Sequence, residues 1–78
     1  MMSTVTSLAS KKWHYVLTLQ FPAPGGGIGN NTRHGTFNLP PEWTRDDVLR
    51  RLLEEAAQQD PMLRGANILF FSLEPNGL

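Results

Sequence analysis

The chain has 78 residues, enough for one small domain with a modest core. It contains no cysteine, which excludes disulfide staples and cysteine-based metal sites. Seven basic and seven acidic residues cancel, and that balance argues against electrostatic capture of nucleic acid or of an anionic membrane.

Residues 1–10 are rich in Ser and Thr without a sustained pattern and read as a disordered tail. They lack the apolar run of a signal peptide, and nothing in the chain approaches the ~20 apolar residues of a membrane span. The expectation is a soluble, cytoplasmic protein whose residues 11–78 form a single domain.

Lys11 to Phe21 reads as the first strand. Trp13, Tyr15, Leu17, Leu19 and Phe21 alternate with His14, Val16, Thr18 and Gln20, the period of a half-buried strand. Pro22 to Asn31 is a run of breakers and reads as a loop. Its glycines do not make a phosphate loop. Neither G-x-x-x-x-G-K-[ST] nor G-x-G-x-x-G is present, and no helix follows for a phosphate to sit on.

Thr32 to Leu39 reads as the second strand. Pairing Leu17 with Phe37, Tyr15 with Leu39 and Leu19 with Gly35 brings the apolar residues of both strands onto one face.

Pro40 to Gln59 carries the long helix. Thr44 is its N-cap, Asp47 completes a shortened capping box, and Trp43 with Val48 has the spacing of a hydrophobic staple. Val48, Leu49, Leu52, Leu53, Ala56 and Ala57 form one apolar stripe. Asp46–Arg50, Asp47–Arg51, Arg50–Glu54 and Arg51–Glu55 line the solvated side, each pair contributing roughly 0.2–0.5 kcal/mol at best. Asp60-Pro61 ends the helix, Asp60 caps a short turn, and Gly65 closes it.

Asn67 to Glu74 reads as the third strand. Its nearly continuous apolar run, Ile68 to Leu73, reads as a strand covered on both faces, with Leu69, Phe71 and Leu73 on one and Ile68, Phe70 and Ser72 on the other.

The expected fold is α+β: a ββαβ chain forming a three-stranded mixed sheet of order 2-1-3, with one helix packed on one face. Strand one is expected antiparallel to strand two and parallel to strand three, with a right-handed crossover. In topology alone, over residues 12–74, this order resembles the opening of the β-grasp, the ubiquitin-like fold. The later strands of that fold and its C-terminal di-glycine are missing, and the resemblance implies no function.

With the helix on one face, the other is left with Val16, Thr18, Ile68 and Phe70, rimmed by His14 and Gln20. An apolar patch with a polar rim marks an association site. The reading is a homodimer through this face or through the edge of strand two or three, or else a module that binds another protein there.

No cofactor, metal or small-molecule substrate is indicated, and the chain reads as non-enzymatic. The two histidines, His14 and His34, fall about 20 Å apart in the register above at ~3.3 Å per residue, too far to share a metal within one protomer. The helix carboxylates face arginines, and no serine has a visible His–carboxylate set. A nucleic-acid-binding accessory protein is the alternative, resting on Lys11-Lys12, Arg33 and His34. The R-G-F-x-F signature of an RNA-recognition sheet is absent.

Overall fold

The computed structural model describes residues 12–77. The tail assigned to residues 1–10 lies outside them. In chain order the described elements are strand β1 (Lys12–Pro22), strand β2 (Ile28–Asn38), helix α1 (Arg45–Gln59), a 3-10 turn (Pro61–Leu63) and strand β3 (Asn67–Pro75). The sheet has the order β2-β1-β3.

β1 is central because it can be buried. Leu17 and Leu19 are 0% exposed and meet Val48, Leu52, Ala56 and Leu63 in the core. Tyr15, Phe21, Phe37, Trp43, Phe71 and Leu73 pack around that cluster. The helix stripe is the expected one: Val48, Leu52, Ala56 and Ala57 are buried, and Leu49 and Leu53 pack against the core.

The helix start is built from local hydrogen bonds. The Asp47 N–H donates to the Thr44 hydroxyl at 3.2 Å, and the Thr44 N–H donates to the Asp47 carboxylate at 2.9 Å. Both halves of the capping box are therefore present. Asp46–Arg50 and Arg51–Glu55 are ion pairs on the exposed side, while Asp47 turns its carboxylate back to the cap. Arg45 ties the helix to β3: it donates to the Phe71 carbonyl at 3.0 Å, and its guanidinium lies 4.6 Å from the Phe71 ring centre. At the far end, Asp60 accepts from the Met62 N–H at 3.1 Å, and Gly65 adopts φ +74°.

Two expectations about the sheet are corrected. First, it is not mixed: β3 runs antiparallel to β1, as β2 does. The helix supplies the reason. Its 15 residues climb about 22 Å and return the chain to the end from which β2 set out. β3 therefore runs alongside β2 in direction and against β1. The expected parallel pairing of β1 with β3 is absent, and with it the likeness to the β-grasp opening.

Second, the hairpin register is shifted. Lys12 pairs with Asn38, Tyr15 with Gly35, Leu17 with Arg33 and Phe21 with Gly29. The strand reclaims Ile28 to Asn31 from the expected loop. The turn is only Ala23–Gly27, where Gly25, Gly26 and Gly27 all have positive φ. The shift preserves which residues share a face, so hydrophobic alternation alone does not resolve it.

The glycines of β2 do resolve it. An ideal Cβ on Gly29 would lie 2.6 Å from Phe21 Cζ, and one on Gly35 would lie 3.2 Å from Tyr15 Cε1. Each strand glycine sits beneath the aromatic ring directly opposite it, which compensates for its missing side chain.

β3 contains a bulge. Thr18 pairs with Phe70 but Leu19 pairs with Ile68, leaving Leu69 without a ladder partner. Leu69 is consequently 52% exposed and not core, contrary to its assignment beside Phe71 and Leu73.

Two outcomes follow. Leu17→Ala should lower the free energy of unfolding by about 2–5 kcal/mol, read from urea denaturation. The Asp47 carboxyl is held below its ordinary value of 3.8 by the Thr44 backbone N–H first, with the Thr44 hydroxyl and the Arg50 charge assisting. Its contribution to the helix is therefore complete above about that pH and is lost as pH falls through the lower folded-state value. Acid titration followed by circular dichroism should show this step in the wild type and not in Asp47→Asn.

Candidate interaction surface

The helix covers one side of the sheet, so period-two alternation delivers the other residues of β1 to the opposite side. His14, Val16, Thr18 and Gln20 lie there half-buried, flanked on both sides by neighbouring strands. β2 contributes Thr32, His34 and Thr36, and β3 contributes Phe70, Ser72 and Glu74. The Thr18 and Thr32 hydroxyls lie 3.0 Å apart across the hairpin. Phe70, opposite Thr18, is 54% exposed.

Five of the six residues expected on this face, His14, Val16, Thr18, Gln20 and Phe70, share it. Ile68 lies beyond the bulge. It pairs with the core residue Leu19, so its register matches the helix side, although it is 45% exposed. The apolar surface of β3 is thus a continuous run, Ile68-Leu69-Phe70, that turns around the strand edge. Leu69 was assigned to the core from its parity; only the bulge, which parity does not reveal, brings it out.

The histidines are not 20 Å apart. Their ring centres lie 5.9 Å from each other, tilted by 56°. The register explains it: His34 pairs with Val16 and His14 with Thr36, so the two are diagonal neighbours on one face.

The basic residues do not share this face as a group. Arg33, opposite Leu17, lies on the helix side and donates to Asn31 and Gln59, both at 3.0 Å. Lys11 is outside the described residues.

On the helix side, β2 presents Gly29, Asn31, Arg33 and Gly35 where a packed sheet would carry large apolar groups. Beside Gly35 a cleft of about 370 Å³ opens between β2 and α1, lined by Tyr15, Gly35, Phe37, Trp43, Arg51 and Glu55 among others. Arg51 and Glu55 are paired to each other at 3.1 Å.

Among the described residues, no group of three or more His, Asp or Glu is arranged to hold a metal ion, and no helix is long and apolar enough to cross a membrane. Comparison with protein families, with curated proteins and with solved structures finds no match to this chain.

The two sides of β2 should respond differently to substitution. His34→Ala, at an exposed strand position, should change the free energy of unfolding by no more than ~0.5 kcal/mol. Gly29→Ala, which must push the half-buried Phe21 ring off its rotamer, should cost about 0.5–1.5 kcal/mol. Urea midpoints of the two variants check the contrast.

Proposed function

We propose that this protein is a small non-enzymatic interaction module that associates with a second copy of itself through the open face of the sheet. The observation that carries this reading is Phe70: a large aromatic side chain more than half exposed on an uncovered sheet face, beside Val16 and continuous with Leu69 and Ile68. Such a patch gains free energy when removed from water, at about 25 cal/mol per Å² of apolar area. A twofold contact uses the same patch on both copies and so needs no second complementary surface.

Charge supports a second copy as the occupant. The chain is neutral overall, so two copies do not repel at long range. On the open face Lys12 lies on the same parity as His14, and Glu74 is the cross-strand partner of His14. The rim of the patch therefore carries both signs, which suits a self-complementary contact. The outer edges of β2 and β3 offer a second route to the same end, by strand addition. The cytoplasm is the proposed location.

The alternative, a nucleic-acid-binding accessory protein, has less to rest on. Arg33 is engaged on the helix side, and among the described residues Phe70 is the only aromatic ring besides the histidines that strand parity gives to the open face. A salt-sensitive shift of an oligonucleotide would favour that alternative.

The deciding measurement is solution mass by light scattering on a size-exclusion column. The wild type should run as a dimer and Phe70→Glu as a monomer, with the helical circular dichroism of the two unchanged. A monomeric wild type, or a dimer that survives Phe70→Glu and a second charge at Val16, overturns association through this face.

A further inference from the structure

We infer that His14 and His34 form a two-imidazole site for a divalent transition metal such as Zn²⁺, Ni²⁺ or Cu²⁺. Both ligands come from one chain and lie toward β2 on the open face, whereas the proposed dimer contact centres on Phe70 toward β3.

The geometry is the first support. With metal–nitrogen bonds of about 2.0–2.1 Å, two imidazoles on one ion have ring centres roughly 5–6 Å apart. The observed separation is 5.9 Å, and the rings are tilted, not stacked face to face. Small side-chain rotations therefore bring one nitrogen of each ring to a common ion.

The scaffold is the second. The rings project from adjacent antiparallel strands at diagonal positions, β1 being central in the sheet. The backbone holds the ligands near each other before the ion arrives, so little ordering entropy is lost on binding. His34 is exposed and His14 half-buried, so an ion reaches both from solvent. Among the described residues, each ring has the other as its contact, and no salt bridge or side-chain hydrogen bond competes for the ring nitrogens.

Ligand chemistry narrows the ion. Imidazole suits zinc, nickel and copper, whereas magnesium and calcium take oxygen ligands. Glu74 is the cross-strand partner of His14 on its other side, but the three residues are not arranged as a three-ligand group. Water completes the coordination shell. Imidazole must be deprotonated to bind, so acid releases the ion.

The test uses the full chain without an affinity tag. Zinc is titrated into ¹⁵N,¹³C-labelled protein, and the imidazole resonances are followed. The wild type should bind one ion per chain, with both histidine rings shifting along the same saturation curve. Copper should bind more tightly than zinc, following the order of intrinsic affinity for nitrogen sites. Magnesium should leave both rings unmoved.

His34→Ala should weaken binding on the order of 10²-fold, because chelation becomes single-point attachment. His34→Asn serves as a second variant if the alanine disturbs the strand, and the dispersed amide spectrum confirms the fold of each. The inference is overturned if millimolar zinc moves neither ring, if the ring of His14 responds equally in the wild type and the His34 variants, or if one ion binds per two chains. The last result would place the ion between copies and not within the hairpin.

Discussion

The fold depends on burying the inward face of one strand. Leu17 and Leu19 are fully removed from solvent, and no other strand of the sheet contains a residue that is. β1 can reach that state because it has a neighbour on each side and a helix above. β2 supplies mainly hydrogen bonds: its helix side is Gly29, Asn31, Arg33 and Gly35, and only Phe37 adds appreciable apolar bulk. β3 supplies Phe71 and Leu73 to the core and is bound to the helix start through Arg45. The sheet is therefore asymmetric. It is closed against the helix along β1 and β3 and open along β2, which is where the cleft lies.

The same asymmetry separates what the chain shows to solvent. The helix side presents charges in pairs, Asp46 with Arg50 and Arg51 with Glu55. Such exposed pairs neither add much stability nor attract a partner strongly. The uncovered sheet side presents threonines and histidines toward β2 and Phe70 toward β3. The proposed association and the proposed metal site thus fall on neighbouring parts of a single surface, one toward β3 and the other toward β2.

Much of this was legible in the residues. The helix start could be read directly because capping is a local hydrogen-bond problem between Thr44 and Asp47, four positions that no distant contact needs to arrange. β1 and the apolar helix stripe were equally plain, since burial on one face imposes a period. The order of strands in the sheet was also legible, as the simplest one for these elements; the apolar run of β3, which reads as covered on both faces, instead lies at a sheet edge with Ile68, Leu69 and Phe70 exposed. What escaped had no periodic signature. The direction of β3 follows from the length of the helix and the reversal it imposes, not from the residues of β3. The bulge at Leu69 is a one-residue insertion that leaves the apolar run intact in sequence. The hairpin register was misplaced by a shift that keeps every residue on its proper face, so the usual penalty for a slip did not apply. That displacement alone decides whether the two histidines lie about 20 Å apart at ~3.3 Å per residue or 5.9 Å apart, as they do.

The glycines under Phe21 and Tyr15 consequently act at a distance. They recur six residues apart in β2, opposite two rings six residues apart in β1, and together they form a double key to the observed pairing, which seats both rings over glycine. Gly29 and Gly35 lie on the helix side of the sheet, whereas His14 and His34 lie on the other, and neither glycine touches either imidazole. The spacing of the imidazoles is nonetheless inherited from that key. Selection acting on the histidine pair would be felt on the reverse of the sheet, at positions where the change in question is the gain of a single methyl group.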